Sequence, residues 1–503
     1  MGHSISNVEG TSTETTGERQ QLKREFKERH VSMIAVAGAI GTGLIIGSGT
    51  GLVRGGPASL LIAYTLIGAV VFFIMTAGFA GYATRFVDPA LGYATGWNYF
   101  LKYAIVLPNN LTAAGIIMQY WRPDLNVAIT AVNVSIPNYQ TTILALINHQ
   151  ILHVSFFGEA EFWMSAVKLL VIITLILTCF IISMSGQPSH EIIGFKYWHN
   201  PGAFGSYLVE GPTGRFLGFW AATVQACFAY TGTEVVGVAF GEAPNPRRTI
   251  RKAVRQTLWR IVFFYVLGAL VLGMSVPYTN GMLIGGTKKS TGAAASPFVV
   301  AVQIANIPVF PHVVNGCLLI FVITPGMFMR TSGKGVPLYG VAATSVFAAL
   351  AYMNAAKSSS QVYGYLVSLV TVFGTLNWVS VLTSYICFTR GMRAQGTPRS
   401  LMPYRGPLQP YGSYFALFVT ILVVTFNGYN AFIPKFTVST FMTSYIGVAI
   451  YLVNIFSYKA YAKTRRVELH SMDLVTNRLE DDGSKYLSTL EKAASWAAER
   501  FRR

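Results

Sequence analysis

The chain has 503 residues, 52% of them hydrophobic and only 12% charged, with a formal net charge of +18. A soluble globular domain carries about 25% charged residues, so this composition excludes one and describes a polytopic membrane protein. The basic excess sits in short connections between apolar runs, where it marks the cytoplasmic side of a membrane and calls for no nucleic acid.

The N-terminal segment is rich in Ser, Thr, Glu and Lys and lacks the apolar core of a cleavable signal peptide. Lys23, Arg24, Lys27 and Arg29 stand directly before the first apolar run, so residues 1–30 are expected to form a cytoplasmic tail. That run, 31–53, has no charge and would extend roughly 34 Å as a helix. It contains GAIGTGLIIGSGTG, Gly38 to Gly51. Gly43, Gly47 and Gly51 recur every four residues and suit close helix packing. Gly41 and Thr42 fall outside that face. A loosened helix there exposes N–H and C=O groups that hydrocarbon cannot satisfy, so something polar is expected beside them.

Apolar runs at about 31–53, 58–79, 91–119, 127–152, 162–186, 216–241, 258–277, 311–329, 336–354, 363–389, 412–433 and 439–458 give about twelve spans. The basic connections after the sixth, eighth, tenth and twelfth then all fall on the cytoplasmic side. In the third span, Lys102 lies roughly 17 Å past Leu91, too deep for easy snorkelling. It is read either as a partner for a substrate carboxylate or as half of an ion pair with Glu234 or another buried acid. Pro108, Asn109 and Asn110 follow it, and the sequon at Asn110 is discounted because it lies within the span; Asn133-Val134-Ser135 is nearer the outer face. Lys168 enters the fifth span about two turns deep, where it could snorkel or lie buried.

The stretch Gln187 to Arg215 reads as an ordered outer loop, and Pro277 to Phe310 as the place for a short re-entrant helix. In the sixth span, Phe228-Ala229-Tyr230-Thr231-Gly232-Thr233-Glu234 repeats the glycine interruption of the first and adds an acid. A carboxylate inside a membrane segment costs a few kcal/mol, at least about 2.5, and marks function or a helix partner. Cys179, Cys227, Cys317 and Cys387 lie within apolar runs without a CxxC pair and read as packing residues. The permease domain is expected over 31–462, with a cytoplasmic tail over 463–503. Leu487, Leu490, Ala494, Ala497 and Phe501 in that tail have helical spacing.

Interrupted spans at the heads of two five-span halves are the pattern of an inverted-repeat transporter. N–H groups at one break suit an α-carboxylate, and carbonyls at the other suit an ammonium. GAIGTGLIIGSG, YATRFVDPALGYATGWNYF, FAYTGTEVVG and GEAPNPRRTIRKAVRQTLWRI, in that order, resemble the fungal amino acid permeases of the amino acid–polyamine–organocation superfamily. The likeness covers most of residues 20 to 470. It implies an all-α polytopic membrane protein of about twelve helices, a five-plus-five inverted repeat with the first and sixth helices broken. It also implies proton-coupled amino acid uptake, no enzymatic activity and no cofactor or metal.

The resemblance further implies that Gly41, Thr42 and Gly43 receive the substrate carboxylate, and that Phe228, Ala229 and Thr231 present carbonyls to its amino group, with Tyr230 and Glu234 beside them. It makes Lys168 a built-in substitute for the sodium ion of sodium-coupled relatives, coupling transport to protons together with Glu234. The segment around Lys102 and Asn109 resembles the dicarboxylic branch, in which the lysine would suit a side-chain carboxylate.

Three places depart from the family pattern. MTAGFAGYATRF shortens the end of the second span. Residues 126–157 place Asn, Gln, His and Pro137 in the fourth. FVITPGMFMRTSGKGVPLYG lacks the polar end of the eighth span, which would complete the Lys168 site. Three functions are compatible with these residues: a proton-symporting importer of amino acids, acidic ones among them, at the fungal plasma membrane; an amino acid sensor of permease fold; and a transport-deficient variant with shortened second and eighth helices.

Overall fold

The computed structural model describes residues 41–77, 82–122, 124, 126–127, 154–184, 192–234, 246–288, 296–328, 346–355, 359–399, 402 and 405–474. Those residues contain helices, turns and no strand. Seven of the helices are long and apolar enough to cross a membrane. The fourth span past Val127, the end of the sixth, the segment after the eighth and the tail helix around Leu490 lie outside the described residues.

The chain enters as a π-helical turn, Gly43–Gly47, and continues into α1, Ser48–Ala77. Together they cover 35 residues, which a straight helix would stretch to about 50 Å, well beyond a hydrocarbon core of about 30 Å. Gly56 resolves the excess with a left-handed φ of 78°, reached just before Pro57, so the first two expected spans become two arms of one bent element. Of the stretch expected to form an ordered outer loop, residues 192–215 are described, and part of it pairs with this bend. Ala203 accepts a hydrogen bond from the Ala58 N–H at 3.0 Å, and the Gly205 N–H donates to the Gly55 carbonyl at 2.8 Å. This backbone pairing needs Gly56 to lack a side chain, since a Cβ there would lie 2.7 Å from the Gly205 nitrogen.

A short helix, α2 (Ala83–Phe86), leads to α3 (Pro89–Met118). Asp88 caps α3 by accepting from the Ala90 N–H at 2.8 Å, and Pro89 takes the first helical position, where its missing N–H costs nothing. The remaining elements are α4 (Val154–Ser183), α5 (Gly211–Tyr230), α6 (Pro246–Arg260) and α7 (Leu267–Ser275). A π-helical stretch, Ile261–Val266, joins α6 to α7. Then follow α8 (Gly281–Lys288), α9 (Pro297–Ile304), α10 (Phe310–Phe328), α11 (Ser359–Ala394), α12 (Tyr411–Phe426) and α13 (Val438–Ala462). Among its described residues, the stretch expected to hold a short re-entrant helix contains α8 and α9. The second is buried from Pro297 to Val302.

A central apolar cluster joins α1, α4, α5, α7, α9 and α11. Outward faces carry exposed Leu170, Leu177, Phe418, Val453 and Phe456. A soluble protein would be left with large apolar patches by such faces, whereas a bilayer covers them. Of the cysteines, Cys179, Cys227 and Cys387 are buried and Cys317 is half-buried, all four unbonded. Arg260, which the sequence groups with a basic connection, is instead buried where α6 runs on into Ile261.

Candidate functional site

The two glycine-rich breaks meet. A Cβ built on Gly43 would lie 2.5 Å from the Ala229 Cα and 3.0 Å from the Phe228 carbonyl oxygen. Further along the same face, Gly47 abuts Gln225, Gly51 approaches Ala222, and Gly55 rests on the Gly218 carbonyl. Every fourth residue of one helix therefore packs on residues 218, 222, 225 and 229 of α5, a small-residue seam of the kind that lets membrane helices approach closely. Gly41 is different: a Cβ there meets no described atom within 4 Å. Gly43, Gly47 and Gly51 hold the breaks together, while Gly41 meets no such neighbour among the described residues and stands beside buried Thr42.

The wide turn after Gly43 leaves carbonyls that the neighbouring elements satisfy. Ser48 Oγ donates to the Leu44 carbonyl at 2.6 Å, and Ser296 Oγ, at the head of α9, donates to the Ile45 carbonyl at 2.9 Å. These bonds account for Ser48 and fix the turn against α9.

At the second break, α5 stops at Tyr230. Thr231 is extended with ψ of 131°, its hydroxyl bonding back to the Cys227 carbonyl at 2.9 Å, and Gly232 adopts φ of 106°, a left-handed conformation that favours glycine. The Phe228 carbonyl accepts from the Thr231 N–H at 3.1 Å and the Ala229 carbonyl from the Tyr265 hydroxyl at 3.3 Å. Each carbonyl keeps a second lone pair for another donor. The Tyr230 side chain is engaged in packing: its hydroxyl donates to the Tyr64 carbonyl at 3.0 Å and its ring stacks on Tyr265 at 4.1 Å.

Glu234 closes the turn. Its Oε2 accepts from the Gly232 N–H at 3.1 Å and from Trp378 Nε1 of α11 at 3.4 Å, while Oε1 is bonded to Lys102 Nζ of α3. Lys102 is 1% exposed and Glu234 6%, so of the two readings of Lys102 the structure realises the ion pair, and realises it directly at the break. The ammonium also faces the rings of Tyr103 and Tyr99, at 4.9 and 5.8 Å from their centroids. One turn down α3, Asn98 Nδ2 bonds the Phe373 carbonyl at 2.7 Å and Asn377 Oδ1 at 2.8 Å, locking α3 to α11 beneath the pair. Asn109, two turns up the same face, is buried with its Oδ1 unbonded among the described residues.

Lys168 is also buried, at 2% exposed, which places its ammonium inside the bundle and not in a snorkelling position. Its helix, α4, packs against α7, α9 and α10. The structure thus brings Gly43, Phe228, Ala229, Thr231, Glu234 and Lys102 into one region, with Gly41 and Thr42 adjoining through the chain, and carries Lys168 on a separate helix. Trp378, Asn98 and Asn377 are members of the site that were not singled out from the sequence. The spacing Thr95, Asn98, Lys102, Asn109, Thr112 is a polar stripe along one helical face and could have pointed to Asn98; nothing in GTLNWVS marks Trp378 or Asn377.

Lipid-length helices interrupted side by side around a buried ion pair are the architecture of a secondary transporter. The sequence matches the amino acid permease family over residues 30–326 and 322–471, and the chain belongs to that family. The two matched stretches overlap inside FVITPGMF, within the segment expected to depart from the family pattern. The chain is 50% identical to an uncharacterized amino-acid permease of Schizosaccharomyces pombe, over 94% of this chain and 95% of that one. It is 39% identical to the dicarboxylic amino acid permease of Saccharomyces cerevisiae, over 96% and 86%. It is 34% identical to the general amino-acid permease of the same yeast, over 92% and 81%. The chain is therefore an integral membrane amino acid transporter of the fungal permease type and not an enzyme.

Proposed function

We propose that this permease imports acidic amino acids by proton symport across the fungal plasma membrane, with both termini in the cytoplasm. The observation that carries the reading is Lys102: a lysine in the middle of a membrane helix, buried, and directed at the break of α5. In the structure this ammonium is bonded to the Glu234 carboxylate, so the group it takes is a carboxylate, and the side chain of aspartate or glutamate offers it another.

The α-carboxylate is assigned to the start of the π turn at Gly41, Thr42 and Gly43. First-turn N–H groups and the positive end of the helix dipole favour an anion there, and no described atom crowds Gly41. The α-ammonium is assigned to the Phe228, Ala229 and Thr231 carbonyls, at the negative end of α5. Tyr230 supports this set through its backbone and Asn109 offers an unbonded oxygen. Lys168 and Glu234 are assigned to proton coupling, Lys168 through its burial on a helix that packs against α10. The 39% identical dicarboxylic amino acid permease supports the substrate class.

Uptake of labelled aspartate and glutamate into permease-deficient cells, with and without a proton uncoupler, tests the reading. Accumulation that the uncoupler abolishes is the expected result. Binding without accumulation would make the protein a sensor, and neither would make it a transport-deficient variant.

A further inference from the structure

We infer that Glu234 is a tethered stand-in for the substrate's side-chain carboxylate on Lys102, and that one proton per transported dicarboxylic amino acid releases it. The inference rests on the acidic-substrate reading of the same site and says how that site exchanges its charges.

Both oxygens of Glu234 are already bonded, one to Lys102 and the other to Gly232 and Trp378. Among the described residues, the Lys102 ammonium in turn faces one carboxylate and two tyrosine rings. The described titratable groups facing the pair are Tyr99 and Tyr103 from α3. From α11, Tyr363 stands edge-on to Phe228, and Arg260 of α6 is grouped with Tyr230 and Tyr265. Lys102 and Glu234 thus form a locally neutral unit.

A dicarboxylic amino acid brings one net negative charge, its α-ammonium and α-carboxylate cancelling. If Glu234 stayed ionised, one ammonium would face two carboxylates in a buried site, which desolvation strongly disfavours. A proton taken from the outer water onto the Glu234 carboxylate restores the balance. Lys102 then passes to the substrate's side-chain carboxylate, while neutral Glu234 can still accept from Gly232 and Trp378. On the inner side the substrate leaves with its carboxylate ionised, Glu234 gives its proton to the cytoplasmic water, and the Lys102–Glu234 pair closes again. Asparagine and glutamine carry no second charge and have nothing with which to displace Glu234. A purely structural ion pair would never open, and the two roles diverge in what happens to protons.

The test measures labelled glutamate uptake and accompanying proton uptake for the full chain, the E234Q variant and the K102Q/E234Q variant in permease-deficient cells. Glutamine cannot be protonated, so E234Q is expected to lose net accumulation, because the empty carrier would have to return with an unpaired buried ammonium. Glutamate–glutamate counterflow should persist and no longer respond to external pH. K102Q/E234Q buries no charge, so it reads out even where E234Q fails to reach the membrane. It is expected to exclude glutamate and to carry glutamine with one proton fewer than the unaltered chain takes up with glutamate.

Proton-coupled accumulation by E234Q with an unchanged pH profile, or proton-coupled glutamate uptake by the double variant, would overturn the exchange while leaving the acidic-substrate reading intact. Absence of acidic amino acid uptake by the unaltered chain would sink that reading and this inference with it.

Discussion

Gly43→Ala probes the seam between the two breaks. The added Cβ would sit 2.5 Å from the Ala229 Cα, 2.9 Å from the Ala229 nitrogen and 3.0 Å from the Phe228 oxygen. All three are backbone atoms, so no side chain can swing aside. Carbon atoms rest at about 3.5–4.0 Å, so the helices must part by about 1 Å. Overpacking of this kind costs about 1–3 kcal/mol. Because the strain falls where the turn of α5 positions Glu234, uptake should fall further than stability does.

Gly41→Ala is the matched control. No described atom lies within 4 Å of its Cβ, so its effect on stability should stay within about 0.5 kcal/mol. Its methyl would nevertheless project where the substrate carboxylate is placed, so uptake should still drop. The assay is the thermal denaturation midpoint of each detergent-purified variant, alongside uptake at matched surface expression. A Gly43→Ala protein as stable as the unaltered one would refute the packing argument, and a Gly41→Ala protein with unaltered uptake would refute the placement of the carboxylate.

Further outcomes follow from other contacts. Lys102→Met leaves Glu234 buried and uncompensated and should destabilise the protein by about 3–5 kcal/mol, most of it recovered in K102M/E234Q, as read by the same denaturation midpoint. Met472→Ala removes a buried side chain wedged by Phe86 and Cys387 and should cost about 2–5 kcal/mol locally. Faster proteolysis of residues 464–474 is the check. Asp88 holds that same end together: it caps α3 and accepts from Lys459 at 2.9 Å and Thr464 at 2.8 Å. Burial alone would raise its carboxyl pKa, but the bonds from Lys459, the Ala90 N–H and Thr464 carry it below the usual carboxylate value. Its contribution is therefore complete above the ordinary carboxylate pKa and lost as pH falls through the lowered one. Hydrogen exchange at Val467, whose N–H bonds the Val87 carbonyl at 2.9 Å, should accelerate only in that acid range. Asp88→Ala should lose about 1 kcal/mol of cap energy at neutral pH, seen as the same acceleration.

Much of the fold could be read from apolar run length alone, because a bilayer fixes how many residues a helix needs. The third, tenth, eleventh and twelfth runs reappear as α3, α11, α12 and α13. The Gly41–Gly43 and Phe228–Glu234 breaks were legible because glycine and a charge are both costly within a span. That these breaks touch was not, since the contact between Gly43 and Ala229 joins residues nearly two hundred positions apart. Lys102 was legible by depth, but its partner was open between substrate and acid until α3 and the α5 turn were placed together. Trp378 and Asn377 stayed hidden for a simpler reason: an aromatic ring and an amide inside an apolar helix look like packing until the acceptor opposite them is known. Hydropathy separates the second span from the first, yet the chain continues helically through Arg54 and turns only at Gly56, one residue before the proline that the hydropathy pattern cannot weigh.

The most direct measurement is a structure of the full chain determined by electron cryomicroscopy with L-glutamate bound. The account expects the α-carboxylate within hydrogen-bonding distance of the Gly41, Thr42 and Gly43 amides and the ammonium on the Phe228, Ala229 and Thr231 carbonyls. The side-chain carboxylate should lie on Lys102, with Glu234 displaced from it. Glutamate bound elsewhere in the bundle, or bound at the breaks with the Lys102–Glu234 pair still closed, would contradict it.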